Sequence, residues 1–322
     1  MIAVTTAITA ATMTPAVETT TRITVARSLG RAAVKALLDE VYLVGKPGLV
    51  GPESARGHSD MDASLMRDSA RSLQDTFTAL AELGAEVPVG QELRDALGRI
   101  GRGGERQMMT VTGGVNTHRG AIWNLGLHVT ATAALLQQGT PTTAEAITSR
   151  AGAIASFQDS ILKSNAADTA DQNSGAGERP GARARRTYRV GGALSEAASG
   201  FPHVRRILDA FAHADSVGLE SDDRHLHGLL TCMGSLVDTC LLHRGGMAGL
   251  DLVRTGAAAV TAETVRTGRL DHVGVRALDA RMTDASLSPG GSADLLACAL
   301  FLQDRPDLHR PAHHHNEGLT CN

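Results

Sequence analysis

The chain has 322 residues, 42% of them hydrophobic but only 2% aromatic, and a formal net charge of −3. That balance excludes the basic field that draws nucleic acid, and no apolar run approaches the ~18 residues that a membrane span requires. Four cysteines (Cys232, Cys240, Cys298 and Cys321) without CxxC spacing exclude a zinc or disulfide framework and predict buried thiols in a reducing, cytoplasmic compartment.

Residues 1–22 are rich in Thr and Ala and lack a charged segment leading into an apolar core, so a disordered lead is expected rather than a secretory signal. Apolar residues then recur at three- and four-residue spacing over 23–44, predicting a helix. Lys46-Pro47-Gly48-Leu49-Val50 breaks it and forces an extended passage that runs to His58-Ser59-Asp60-Met61-Asp62. In an extended passage alternate side chains share a face, so His58, Asp60 and Asp62 are expected on one side. Oxygen ligands at that spacing suit a Mg²⁺ ion that is also held by substrate phosphates. N-capping of the helix that starts near Ala63 is the alternative use of one Asp.

Helical periodicity continues over 65–83 and, more briefly, over 106–112, with Glu105 near the start of that short helix. Gly113 and Gly114 end it, and Val115-Asn116-Thr117-His118-Arg119-Gly120 leads straight into an apolar run from Ala121 to Leu136. A helix N-terminus with free N–H groups is a ready anion site. A cap alone would need only Asn116 or Thr117, so His118 and Arg119 beside them suggest a bound anion. Further helices are predicted over 144–162, 204–214, 226–242, 250–265, 273–282 and 293–302. The stretch 163–190, crowded with Asn, Asp, Gly and arginines, is expected to be a mobile functional loop or a plain surface insertion.

Three later clusters carry polar groups at helix boundaries. Gly191-Gly192-Ala193-Leu194-Ser195-Glu196 is followed by Gly200-Phe201-Pro202-His203, with Glu196 a base, a ligand or a cap partner. Asp238 lies in an apolar run, where a carboxylate is costly unless paired, and Arg244 is the expected partner. Ser288-Pro289-Gly290-Gly291-Ser292-Ala293-Asp294 precedes an apolar helix; Gly291 and Ser292 could cradle an anion there, with ordinary capping by Ser292 as the alternative. No Walker A motif, complete G-x-G-x-x-G, H-E-x-x-H or G-x-S-x-G is present. The expectation is an all-α protein, a compact bundle of roughly ten or more helices with functional loops at helix termini. It occupies residues 23–305 as a single domain, with a flexible tail over 306–322 that includes His313, His314 and His315.

These clusters, in this order and over residues 25–302, resemble the triphosphoribosyl-dephospho-CoA synthases, which build the prosthetic-group precursor of malonate decarboxylase and citrate lyase. The resemblance is carried by Lys46 to Val50, by His58-x-Asp60-Met61-Asp62, by Gly114 to Ile122, by Gly200-Phe201-Pro202 and by Ser288 to Asp294. It implies a glycosyl transfer in which the 2′-hydroxyl of 3′-dephospho-CoA attacks the anomeric carbon of ATP, adenine leaves and the triphosphate stays attached. The length and the lack of fusion segments favour the malonate decarboxylase branch, whose acyl-carrier subunit would receive the product; no nucleic acid or membrane partner is implied. Mg²⁺ on His58, Asp60 and Asp62 would neutralise the triphosphate together with Lys46, His118 and Arg119. Asn116, Thr117, Arg244, Gly291 and Ser292 would complete the nucleotide contacts. Glu105, Glu196 and Asp238 would share the roles of base and of stabiliser of the sugar cation, in a division left open.

The chain departs from the family pattern at Gly45, usually Pro, at Leu194-Ser195, usually Arg-Gly, and at Cys240, usually Asn. The last two departures remove polar contacts, each worth about 1–3 kcal/mol if buried. Two other readings therefore stay open. One is a non-catalytic nucleotide-binding partner of the decarboxylase system. The other is a Mg²⁺-dependent hydrolase of nucleosides or ADP-ribose. Adenine release that depends on dephospho-CoA separates the transferase from both.

Overall fold

The computed structural model describes residues 15–55, 58–161 and 180–304, and every regular element among them is a helix. In chain order these are α1 (Pro15–Tyr42), α2 (Ala63–Ser72), α3 (Gln74–Glu86), α4 (Gln91–Val111), α5 (Arg119–Gln137) and α6 (Ala144–Ala155). There follow α7 (Pro180–Tyr188), α8 (Gly192–Ala198), α9 (Pro202–Ser216), α10 (Ser221–Met233), α11 (Thr239–Thr267), α12 (His272–Asp284) and α13 (Gly290–Asp304). The only pairing of extended backbone among the described residues is an isolated bridge between Gly51 and Ser54. The all-α expectation holds. None of the described helices is long and apolar enough to cross a membrane.

The organising element is α5. Apart from Trp123 its residues from Ala121 to Leu135 are buried all round, as befits a helix enclosed by others. It packs against α3, α13, α6, α1 and α4, and α13, at least as apolar, packs against α1, α5, α9 and α10. With few aromatic residues the core is made of Leu, Ala, Val and Ile, joined by Phe77, Phe201, Phe211 and Phe301. Three polar side chains of α5 that enter this core bond to carbonyls of the same helix. Thr130 Oγ1 donates to the Gly126 carbonyl at 2.9 Å, Thr132 Oγ1 to that of His128 at 2.8 Å, and His128 Nδ1 meets that of Asn124 at 2.8 Å. A buried hydroxyl or imidazole is tolerable only with such a partner.

Small residues set the closest crossings. Gly84 of α3 faces the backbone of Thr130 on α5, and an added Cβ there would press on the Thr130 carbonyl oxygen and lie 2.9 Å from its carbon. The neighbour is backbone in the most buried helix, so α3 and α5 would have to part. Gly84→Ala is expected to cost about 3 kcal/mol, read as a thermal midpoint several degrees lower; an unchanged midpoint would mean that this crossing is looser than described.

Several boundaries differ from the periodicity. α1 begins at Pro15, before the expected start at residue 23. The run over 65–83 is two helices joined at the buried Leu73. The short helix at 106–112 is the end of a much longer one, Gln91–Val111, so Glu105 sits well inside a helix. Gly98, Gly101, Gly103 and Gly104 hid this helix, since each lowers helix propensity by about 1 kcal/mol relative to Ala. The apolar run over 226–242 breaks after Met233, and Asp238 stands at the start of α11, not in mid-helix. The stretch 163–190 holds a helix at Pro180–Tyr188; the part from 163 to 179 lies outside the described residues, as do residues 1–14, the expected tail over 306–322 and Cys321.

Candidate active site

One large cleft, about 620 Å³, opens where the N-termini of α5, α11 and α13 converge, with α4, α7, α8 and the passage around His58 forming its walls. Most residues singled out by sequence line it: His58, Asp60, Glu105, Asn116, Thr117, His118, Arg119, Glu196, Asp238, Arg244 and Gly291. Lys46, Asp62 and Ser292 do not line it.

The glycine turn before α5 is left-handed, with φ of 64° at Gly113 and 97° at Gly114, a conformation that side chains disfavour. It brings Thr117 and His118 onto α2, where Ser69 Oγ lies 2.6 Å from Thr117 Oγ1 and 2.8 Å from His118 Nδ1. Burial, then the nearby Lys46 charge, lower the His118 pKa to about 4, so its imidazole is neutral near pH 7. Its Nε2 has no partner among the described residues. Arg119 Nε lies 3.3 Å from Glu105 Oε2, an ion pair across the α4–α5 angle. Asn116 is exposed to the cleft.

The anion at the start of α5 comes from this chain. Asp294, one turn into α13, accepts a hydrogen bond from the Ala121 backbone N–H and sits so close to Gly120 that a Cβ there would overlap its carboxylate. The start of α13 is filled in the same way. Asp238 accepts from Ser292 N at 3.0 Å, from Ser292 Oγ at 3.4 Å and from Cys240 N at 2.8 Å, where it caps α11. The anion cradle expected at Gly291 and Ser292 is therefore occupied by Asp238. The expected Asp238–Arg244 pair does not form: Arg244 Nη1 donates to the Ser286 carbonyl at 3.3 Å and Nη2 lies 3.5 Å from His58 Nδ1. Backbone N–H groups satisfy a buried carboxylate without needing a cation.

Asp238 and Asp294 form the floor of the cleft. Desolvation, offset in part by its backbone hydrogen bonds, raises the pKa of Asp238. Desolvation, then the charges of Asp238 and Glu40, push Asp294 well above the usual carboxylate range. Like charges this close resist ionising together, so the pair holds a proton that an isolated Asp would lose. Asp294 was not among the carboxylates singled out. Its signal was a lone acid just inside an apolar helix that already had Ser292 as a potential cap.

Glu196 is buried and held at both oxygens, by His203 N at 2.8 Å and His203 Nδ1 at 2.7 Å. The Gly200-Phe201-Pro202 turn makes this possible: Phe201 has a left-handed φ of 54° and a buried ring packed 4.3 Å from His128. A bulky residue with positive φ is strained and persists only where its surroundings enforce it.

Lys46 is almost wholly buried, its ammonium 2.7 Å from Glu40 Oε1 and bonded to the Glu40 and Val41 carbonyls at the end of α1. Asp62 caps α2, accepting from Leu65 N at 2.8 Å. His58 turns Nε2 to Ser288 Oγ at 3.1 Å, with Nδ1 3.8 Å from Asp60. Among the described residues no three His, Cys, Asp or Glu side chains gather as a metal site. His58, Asp60 and Asp62 thus do not converge, and the carboxylate they leave at the cleft is that of Asp60, 57% exposed. One open carboxylate fits a Mg²⁺ ion carried chiefly by nucleotide phosphates and does not fit an all-protein cage. Of the departures, Leu194 and Cys240 both line the cleft.

Residues 26–311 match the family model CitG, described as ATP:dephospho-CoA triphosphoribosyl transferase. A Klebsiella pneumoniae protein named 2-(5″-triphosphoribosyl)-3′-dephosphocoenzyme-A synthase is 42% identical over 275 residues, 85% of this chain and 93% of its own length. Proteins of Azotobacter vinelandii and Pseudomonas syringae pv. syringae, named as probable forms of that synthase, are 39% and 41% identical over 90% and 86% of this chain and 95% and 91% of their own lengths. No solved structure matches the chain.

Proposed function

The chain belongs to the ATP:dephospho-CoA triphosphoribosyl transferase family, and from that premise we propose that it joins the ribose of ATP, triphosphate attached, to the 2′-hydroxyl of 3′-dephospho-CoA and releases adenine. The observation that carries this reading is one cleft whose floor holds paired carboxylates with raised pKa values while its walls hold guanidinium and imidazole groups. Such a site can take a proton from a hydroxyl and hold polyphosphate without cleaving it.

In this reading the 2′-hydroxyl gives its proton to Asp294 as its oxygen bonds to the anomeric carbon. The bond from that carbon to adenine breaks, and its electron pair leaves with the base, which takes a proton from solvent, while Asp294 afterwards releases the hydroxyl proton to solvent. Glu196, fixed by His203, faces the positive charge that develops on the sugar. Asp238 holds the α11 and α13 termini together and keeps the Asp294 proton affinity high. His118, neutral and with Nε2 open, and Asn116 orient the substrates. Mg²⁺ at Asp60 would neutralise part of the triphosphate charge. We further propose, from the sequence resemblance, that the product is the prosthetic-group precursor of a malonate decarboxylase acyl-carrier subunit.

The test is mass spectrometry of a reaction containing ATP, Mg²⁺ and dephospho-CoA. A coupled product retaining all three phosphates of ATP, with one adenine released per product, is expected. Free ribose triphosphate, or adenine release without dephospho-CoA, would identify a hydrolase; nucleotide binding with no adenine release would identify a non-catalytic partner. Asp60→Asn is expected to raise the Mg²⁺ concentration for half-maximal rate about tenfold, while Asp62→Asn, which can still cap α2, leaves it unchanged.

A further inference from the structure

The wall of the cleft between α4 and α5 contains a cluster that the sequence did not single out. Arg94 and Arg102 lie eight residues apart on one face of α4 and share a single carboxylate: Asp159 Oδ2 accepts from Arg102 Nη1 at 2.7 Å and lies 3.3 Å from Arg94 Nη1. Gly98, between them on the same face, leaves the space that Asp159 occupies, since a Cβ there would overlap that oxygen. Arg94 and Asp159 are buried, and the Arg94 guanidinium lies over the ring of Trp123, 4.8 Å from its centre. All five residues line the cleft.

Two guanidiniums share the one carboxylate of Asp159, and the Asp95 charge also acts on Arg94. The donors on this wall outnumber its acceptors. Arg94 Nε, Arg102 Nη2 and the Trp123 indole N–H are shielded from water and have no acceptor among the described residues. Buried N–H groups are rarely left in that state, and arginine forks match the oxygens of phosphates. The missing partner is therefore a group rich in acceptor oxygens and negatively charged. The termini of α5 and α13, already filled by Asp294 and Asp238, cannot supply the anion site for it.

We propose that Arg94, Arg102 and Trp123 form a polyphosphate subsite that grips the phosphate chain of one nucleotide substrate. The assignment of that chain to ATP or to the diphosphate bridge of dephospho-CoA rests on the transferase reading; the affinity for polyphosphate does not. Asp159 holds the two forks apart before binding, and a small rotation of the partly exposed Arg102 turns its second nitrogen to the ligand.

Trp123 is the sole tryptophan of the chain, so its fluorescence reports on this wall alone. The full-length protein is titrated separately with inorganic pyrophosphate, ATP and dephospho-CoA. A saturable emission change is expected with pyrophosphate and with at least one nucleotide. Arg102→Gln is expected to raise the half-saturating concentration at least tenfold, and Arg102→Lys, which keeps the charge but loses the fork, to fall between. Whichever nucleotide shows the shift owns the phosphate chain, and its KM in the transfer assay should rise in parallel. No saturable change with any of the three ligands, or half-saturation unaltered in both variants, overturns the subsite. Saturable pyrophosphate binding with no transfer would instead leave the subsite standing and remove the transferase reading.

Discussion

Asp294→Asn is expected to lower the rate of adenine release by about 10³-fold while leaving the protein folded. The side chains are nearly equal in size, and an Asn oxygen can still accept the hydrogen bond from the Ala121 N–H. What disappears is a group that can take a proton, and general-base catalysis contributes ~10²–10⁴-fold. The loss corresponds to about 4 kcal/mol of barrier. The variant also tests the electrostatics. The folded pKa values of Asp238 and Asp294 are raised, so from the ordinary carboxylate value upward the native state holds protons that the unfolded chain has released. Stability from this pair is complete below that value and declines as pH rises towards the raised folded values. Activity has the opposite slope, because the base must be ionised to accept a proton. Asn at 294 removes one of the like charges, so the thermal midpoint at pH 7 should not fall and its decline with pH should flatten. Adenine release within threefold of wild type would remove Asp294 from the base role.

How far the site could be read from the chain differs from one residue to the next. The apolar run behind Gly120 identified α5, because a helix enclosed on every side keeps a continuous apolar signature, and its bounds moved by no more than two residues. α4 escaped because its glycines, which let Asp159 and Thr76 approach the helix, also erase local propensity. The polar helix termini of α5 and α13 were legible as anion sites, since free N–H groups are a property of the backbone. What fills them was not, because Asp294 and Asp238 reach them across the fold. Lys46 and Asp62 show the converse. Both stand in the motifs that carry the family resemblance, yet one ties down the end of α1 and the other caps α2. A motif marks residues that a site needs, including those that hold the chain in place, and spacing alone does not separate these from the residues facing the substrate.

Gly120→Ala removes no functional group and is nevertheless expected to reduce turnover by about 100-fold. Gly120 lies in the first turn of α5, where alanine is the better helix former by about 1 kcal/mol, so backbone conformation does not oppose the change. The new methyl group would overlap the Asp294 carboxylate. A carboxylate at the end of a short side chain can rotate away, so the helices need not part, and the thermal midpoint should stay within a few degrees of wild type. The rotation takes the carboxylate off the Ala121 N–H and out of line with the sugar, and a displacement of ~1 Å can cost 10²-fold in rate. Gly103→Ala on α4 is the control, since its Cβ would lie 3.8 Å from the nearest atom, Arg106 Nη2, and it does not line the cleft. That variant should retain full activity. If Gly120→Ala did the same, Asp294 would act from a position that tolerates movement, as a distant charge and not as the proton acceptor. Combining Gly120→Ala with Asp294→Asn separates the two cases: a displaced base predicts that the second change adds little to the first, whereas independent roles predict that the losses multiply.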